Sequence, residues 1–341
     1  MHPVLARIAT GDNTPVTGLA RACALEQFTV LEIAGADAIS FLQGQVTNDI
    51  AGAPAGQARL AGYCTAQGRL LATLVVWREP LSPTPDIPVL RAIVRADIAA
   101  ALVKRLSMFV LRAKAKLALL PLEVVGIECE AAQNAALETA LGASLPQSPW
   151  HVLSHATGTW IAAPGTSARR WWCVAPQTDR HAGEALAAHL LPGNPDRWQV
   201  EDIEAGLPWI LAETQDLFIP QTVNLDLIDG VSFTKGCYPG QEIVARSHYR
   251  GTLKRRMALG RLEGGAAPGV SPAADVFDAS APNQPCGRIV NVATADGFTA
   301  ILFESTFDAL SHGSLRAVSP DGPAIALRTL PYDTRPAPRT A

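Results

Sequence analysis

Val231-Ser232-Phe233-Thr234-Lys235-Gly236-Cys237-Tyr238-Pro239-Gly240-Gln241-Glu242 brings a cation, a thiol, an aromatic ring, an amide and a carboxylate into one short stretch. Its glycines permit tight turns or close approach, and Pro239 fixes one φ angle and removes a donor. Val231 to Phe233 reads as a strand, and Glu242-Ile243-Val244-Ala245-Arg246 as the beginning of a short helix. Side chains two apart on an extended chain share a face, so Lys235 and Cys237 are expected to point the same way. An ammonium beside a thiol, just ahead of a helix N-terminus, favours the thiolate. The competing reading is a buried structural cysteine in a tight turn, and these residues alone leave both open.

The chain around this stretch has 341 residues, more than one typical core, which implies two or three domains. A hydrophobic content of 48% with 17% charged residues belongs to a globular protein. The net charge of −3 gives no overall pull toward nucleic acid or an anionic membrane, so neither is an expected partner. The cysteines Cys23, Cys64, Cys129, Cys173, Cys237 and Cys286 lie far apart with no C-x-x-C pair. That spacing argues against a zinc ribbon, a thioredoxin-type centre or a self-contained iron–sulfur site, and no metal site is expected. The start has no apolar core long enough for a signal peptide, and no later run is long enough to span a bilayer. Together these point to a reducing cytoplasm. Dinucleotide and Walker fingerprints, H-E-x-x-H and G-x-S-x-G are all missing.

Toward the N-terminus, residues 28–33 alternate as a strand and Asp37 is a plausible N-cap for a helix closed by Gly44. Gln43-Gly44-Gln45-Val46-Thr47-Asn48-Asp49 follows, rich in amides and poor in charge, either a simple turn or a polar wall for a ligand. Residues 59–64 and 69–77 read as strands joined through Gln67-Gly68, and 89–94 as another. Asp97 is expected to cap a helix through Leu111. Lys104, Arg105, Arg112, Lys114 and Lys116 make this the most basic region, read as a solvated face. Residues 117–127 read as one strand, 131–141 and 182–191 as helices, and 160–163 and 170–174 as strands. Strand–helix–strand–strand–helix–strand order twice over suggests two related α+β units of split βαβ type. A short helix ending at Gly206 carries Glu201, Asp202 and Glu204 as a solvated face, and 218–226 runs extended into the opening stretch. Beyond Gly251, short alternating runs between Gly, Pro and Asp turns fit a small all-β domain or barrel. With no heptad or evident apolar stripe, a monomer is the default.

Three motifs, met in order, carry a resemblance: Phe41-Leu42-Gln43-Gly44-Gln45-Val46-Thr47-Asn48-Asp49, then Phe218-Ile219-Pro220-Gln221 with Asn224-Leu225, then Lys235-Gly236-Cys237-Tyr238-Pro239-Gly240-Gln241-Glu242. With Arg250-Gly251 and Lys254-Arg255-Arg256, they make the chain similar to the folate-binding YgfZ family, a relative of the glycine-cleavage T-protein (aminomethyltransferase), over about residues 25–330. The resemblance implies an α+β fold, a T-protein-like three-module ring with two ferredoxin-like α+β units and a C-terminal β-barrel. Its parts would be a lead-in over 1–24, a first folate-binding module over 25–128 with part of 195–250, and a second module over 129–250 ending in the K-G-C-Y-P-G-Q-E motif. The barrel would cover 251–332, and 333–341 would be a tail.

By the same resemblance the cofactor is tetrahydrofolate or a derivative. The role is that of an accessory protein for iron–sulfur cluster assembly or repair, indirectly supporting tRNA modification, with iron–sulfur enzymes or assembly proteins as partners. Cys237 and Lys235 match the reactive pair of the motif; Tyr238, Gly240, Gln241 and Glu242 match its other members. Glu204 falls where T-protein relatives use a glutamate against the pterin ring, with Glu201 a near competitor. Gln45, Asn48 and Asn224 are the expected amide contacts to the pterin, and Lys235, Arg246 or Arg250 the contacts to the glutamate tail. T-protein relatives place an aspartate in the strand after the first hairpin; here Leu70-Leu71-Ala72-Thr73-Leu74 has no carboxylate. A carboxylate there would stabilise the cation that develops during aminomethyl transfer. Whether the protein is an enzyme therefore stays open, with a folate-dependent aminomethyltransferase or demethylase, and an RNA-associated tRNA modification factor, as rivals.

Overall fold

A computed structural model of the chain describes residues 20–80, 87–176, 186–249 and 253–334. Its first two strands, β1 (Ala20–Ala24) and β2 (Phe28–Ala34), go to different sheets. β2 joins β3 (Arg59–Cys64), β4 (Leu70–Arg78), β5 (Val89–Arg95) and β6 (Lys116–Leu120) in an antiparallel sheet of order β3-β4-β5-β2-β6. The helices α1 (Ala38–Gln43) and α2 (Ala96–Val110) belong to this module. Alternation along β2 sends Leu31 and Ile33 to a cluster with Phe41, Leu42, Leu102 and Leu106 of those helices, and Phe28 and Val30 to a second cluster on the opposite face.

The second sheet has order β11-β1-β7-β10-β9-β8, built from β1 with β7 (Leu122–Cys129), β8 (Val152–His155), β9 (Gly158–Ala163), β10 (Arg169–Pro176) and β11 (Leu190–Pro192). Only its β1–β11 pair is parallel. On β10 the same alternation packs Trp171 and Cys173 with Leu137 and Leu141 of α3 (Asn134–Leu141), while Trp172 and Val174 turn to the cluster that holds Phe28. After α4 (Pro195–Glu204) and α5 (Gln241–Tyr249), the chain builds a third sheet. It comprises β12 (Arg255–Glu263), β13 (Asp275–Asp278), β14 (Gly287–Ala295), β15 (Phe298–Thr306), β16 (Leu315–Ala317) and β17 (Ala326–Arg328), with α6 (Phe307–His312) following β15. Its order, β16-β13-β14-β15-β12-β17, curls into a half-barrel around Leu262, Ile289, Ile301 and Phe303. The α+β, three-module expectation holds.

Several local expectations do not. Residues 117–127 are two strands rather than one, broken between Leu120 and Leu122 at Pro121, because a residue without an N–H cannot continue a ladder. β6 stays in the first sheet and β7 crosses to the second. The second module accordingly begins at β7 and reaches back to β1, inside the stretch expected as lead-in. The helix expected over 182–191 falls partly outside the described residues, and Leu190–Pro192 is strand β11. Asp97 lies inside the first turn of α2, not at its cap. Glu201 and Asp202 are buried rather than solvated. Residues 231–233 form no strand, and the approach over 218–226 is a 3-10 turn (Pro220–Val223) closed by Asn224 at φ 60°.

The cluster that collects the inward faces of all three sheets holds Trp172, Trp198 and Trp209 with ring centroids 6.3–6.4 Å apart from Trp172, and Phe28 lies 4.5 Å from Trp209. Trp198 of α4 lies flat over Gly126 of β7: a Cβ at 126 would stand 2.6 Å from its ring. Glycine is needed there so that helix and sheet can close on each other. Gly126→Val should destabilise the protein by about 1–3 kcal/mol through overpacking, read as a lower urea midpoint with an unchanged slope.

Candidate functional site

The K-G-C-Y-P-G-Q-E loop docks on the first module and leads into α5, and its side chains divide sharply by burial. Lys235 is 8% exposed and its ammonium donates to the main-chain carbonyls of Gln43, Val46 (2.5 Å) and Asn48 (3.2 Å). Gln43 is the last residue of α1, so the cation takes up the last carbonyl of the helix and sits at the negative pole of its dipole. Burial pushes the Lys235 pKa down to about 8, against the pull of Asp49. Tyr238 is buried, with the Lys235 ammonium 5.1 Å from its ring centroid, and burial raises its hydroxyl pKa. Gly240, at φ 79°, presses on the β3–β4 turn: a Cβ would lie 2.5 Å from Thr65 O and from Gly68 Cα. Gly68 is itself at φ 72°. Lys235 and Cys237 therefore do not share a face, because the chain coils here and only the lysine turns inward. Cys237 is the exposed one of the six cysteines; Cys23, Cys64, Cys129 and Cys173 are buried and Cys286 is half-buried. Burial lifts Cys23, Cys64 and Cys173 to about 12 and Cys129 to about 11, leaving them protonated and enclosed.

The amide-rich segment 43–49 is the other half of this knot. Gln43 accepts from the Ile50 N–H (2.8 Å) and donates to Asp49 (3.0 Å). Thr47 Oγ1 donates to Gly230 O (2.6 Å) and accepts from the Gly62 N–H (2.7 Å). Asn48 Nδ2 donates to Leu60 O and Asp229 O at 2.7 and 2.5 Å, while its Oδ1 accepts from the Asp49 N–H. The Asn48 amide is thus spent on the fold, whereas the buried Gln45 Oε1 has no hydrogen-bond partner. Asn224 Nδ2 donates to Met257 O (2.9 Å), tying the 3-10 turn to the half-barrel. The Gln241 N–H donates to Tyr238 O, and Glu242 pairs with Arg246 at 3.3 Å on the exposed face of α5. Arg250 lies outside the described residues.

A second feature opens where the three modules meet. A cavity of about 320 Å³ is walled by Phe28, Arg95 and Asp97 of the first module, by Gln199, Asp202, Ile203, Trp209 and Glu213 from α4 and the segment after it, and by Asn291 and Val292 of the half-barrel. Asp202 accepts from Arg170 Nη2 (2.7 Å) and Trp209 Nε1 (3.1 Å). Burial raises its carboxyl pKa, and the Arg170 guanidinium and Trp209 N–H pull it back. The Trp209 main chain is bracketed by Asn291, which accepts its N–H and donates to its carbonyl, and a register shift between Ile289 and Asn291 aims that amide inward. Asp97 accepts from Arg95 Nε (3.4 Å) and from the Ala212 N–H (2.9 Å). β4 brings no carboxylate, as the sequence indicates, yet the cavity has carboxylates from elsewhere. Glu204 does not line it: it pairs with Arg197 at 3.2 Å, and the same guanidinium holds Glu201, which also accepts from Thr166 and Ser167. Sequence reasoning missed Asp202, although its i,i+4 spacing from Trp198 puts both on one helix face. A wider groove of about 700 Å³ between β12, α6 and residues 328–334 belongs to the half-barrel and its tail alone. Among the described residues no group of three His, Cys, Asp or Glu side chains could hold a metal ion, and no helix is long and apolar enough to cross a membrane.

Lys235→Met strips three buried carbonyls of their cation and should cost about 1–3 kcal/mol. Because the folded pKa of about 8 lies below the unfolded 10.5, the unfolded chain binds more protons between those values. The contribution of Lys235 to stability is therefore least favourable below pH 8 and improves as pH rises toward 10.5. The stability gap between wild type and Lys235→Met, from urea titrations at pH 7.5 and 10, should widen in favour of wild type.

No family model matches the chain. It is 31% identical over 315 residues to the tRNA-modifying protein YgfZ of Serratia proteamaculans, covering 90% of this chain and 91% of that one. It is 33% identical over 249 residues to the protein of the same name from Klebsiella pneumoniae, covering 71% of each. Among solved structures it resembles the glycine cleavage system aminomethyltransferase T from Bartonella henselae, with a TM-score of 0.68 over 96% of this chain and 89% of that one. At 14% identity, that likeness speaks for the fold alone. With those relatives at that identity over most of its length, and with the three-module fold to match, the chain belongs to the YgfZ family.

Proposed function

We propose that the protein holds a reduced folate, tetrahydrofolate or a derivative, in the cavity between its modules and offers Cys237 to iron–sulfur enzymes or their assembly proteins, in support of tRNA modification. The observation that carries this reading is the exposure of Cys237 on a loop whose Lys235 and Tyr238 are buried and whose Gly240 is locked against the Gly68 turn. Such a loop holds one thiol outward in a fixed position. The names of the relatives, which refer to tRNA modification, support the destination of that chemistry.

The cavity fits the ring end of a folate. A pterin offers flat apolar faces and an edge of N–H donors; the touching Phe28–Trp209 pair suits one face, and Asp97, Asp202 and Glu213 suit the edge. A volume of about 320 Å³ is at the small end for ligand pockets, enough for the bicyclic ring with the glutamate tail directed outward. Bound folate would supply one-carbon or redox chemistry; the residues themselves bind and orient it and exclude water. Cys237 serves as a thiolate ligand, a redox group or a sulfur-handling group, and a cluster bound through it takes its other ligands from the partner. Folate-dependent aminomethyl or methyl transfer is a second reading, favoured by Asp97, which gives the cavity the carboxylate that β4 lacks.

Titrating tetrahydrofolate into wild type and Asp97→Asn, followed by tryptophan fluorescence, should show saturable binding weakened at least about tenfold by the substitution. A loss at Glu204→Gln instead would move the ligand to the Arg197 side of α4, and no saturable binding would end the folate reading. In a strain deleted for the native gene, wild type should restore iron–sulfur enzyme activity and methylthiolated tRNA while Cys237→Ser should not, at equal protein levels. Full rescue by the serine variant would remove the thiol from the function.

A further inference from the structure

We infer that the end of α2 and the turn after it form a docking surface for RNA, with tRNA the RNA to test. Lys104, Arg105, Arg112 and Lys114 come from these two elements and all are exposed. Between Asp97 and Glu123 the chain has no acidic residue, although it is acidic as a whole at −3. Cations segregated in this way are the footprint of a polyanion, whose phosphates they neutralise with release of counterions. The carboxylate that reaches this region from a neighbouring element is Asp37, which accepts the Lys114 main-chain N–H at 2.7 Å and leaves the lysine side chain outward.

Lys104 and Arg105 lie one helical turn before Met108 and Phe109 on α2, and nothing in the described fold covers these apolar side chains. Met108 is 60% exposed, Phe109 46% and Leu111 88%. Leu111 ends α2 at φ 40°, a conformation costly for a leucine, and the result is an apolar side chain held almost wholly in water. Lys116, opposite Ala34 of β2, lies on the sheet face away from α2 and is no part of this surface. A phenyl ring open to solvent among lysines and arginines suits an unpaired base, which stacks on aromatic side chains while the backbone is held by charge. This face is remote in composition from both the folate cavity and the Cys237 loop and shares no lining residue with the cavity. The inference deepens the tRNA side of the proposed function and is independent of its folate side.

The test is filter binding of unfractionated tRNA to wild type and to Lys104→Gln/Arg112→Gln/Lys114→Gln, between about 50 and 200 mM salt. Wild type should bind with a steep linear fall of log K against log salt, and the triple variant should lose about three units of that slope. Phe109→Ala should weaken binding several-fold while leaving the slope unchanged, because it removes stacking and no charge. Circular dichroism melts matching wild type secure both variants as folded, and an unchanged tetrahydrofolate titration separates this result from the fate of the folate reading. No saturable tRNA binding at low salt overturns the inference. So does a triple variant that binds like wild type, or binding to phosphatidylglycerol vesicles that equals tRNA binding and is lost in the same variant.

Discussion

The buried Asp202 carboxylate is the point at which the modules are tied together. One oxygen accepts from Arg170 of the second sheet; the other accepts from the Trp209 indole. Trp209 is in turn clasped by Asn291 of the half-barrel, and the next residue, Ile210, donates its N–H to Thr73 of β4 in the first sheet. Arg170 also donates to Pro164 O and Trp198 O, and its guanidinium lies 3.9 Å from the Trp198 ring centroid. Isolated buried charges are costly, and a pair survives only when its remaining donors and acceptors are satisfied. Here the pair joins the second sheet to α4 and the segment after it, and that segment is in turn held by the half-barrel and the first sheet, although Arg170 Nε is left buried without a partner. The cavity beside it is a consequence: rings and charges fixed at a three-way junction leave a space that no single sheet encloses.

The motif loop solves a different physical problem with similar means. The last carbonyl of the short helix α1, that of Gln43, and those of Val46 and Asn48 in the turn after it are taken up by a buried ammonium from far along the chain. Thr47 and Asn48 then lace the same turn to residues 229 and 230. Docking of Gly240 against Gly68 completes a clamp in which backbone meets backbone. Most of the motif's chemistry is thereby consumed in building a rigid mount, and Cys237 is left as its outward-facing thiol. Five of the six cysteines being wholly or partly enclosed gives that exposure its weight.

Legibility in the sequence followed the range of the forces involved. Strands β2, β3, β4, β5, β9 and β10 and helices α1, α2 and α5 were readable because alternation, helical spacing and turn glycines are local properties. The break at Pro121 was local too, yet a single apolar run over 117–127 hid that the two halves serve different sheets. The candidate site was readable as a motif but not as geometry. A strand over 231–233 that stays extended to Cys237 puts Lys235 and Cys237 on one face, whereas the chain coils there because Lys235 gains three carbonyls by turning inward.

By itself, then, the sequence determined the fold class, the family and the motif that matters, since these rest on residue types in order and on periodicity. Tertiary structure alone decided the roles within that frame. It buried Lys235 and exposed Cys237, spent the Asn48 amide on main-chain groups, tied Asn224 Nδ2 to Met257 while leaving its Oδ1 without a partner, and paired Glu204 with Arg197. It also brought Asp97, Asp202, Trp209 and Asn291, far apart in the chain, to one cavity. The physical reason is burial. Whether a polar side chain is a ligand group or part of the frame depends on which distant backbone groups lose their water beside it, and that is settled only when the modules close.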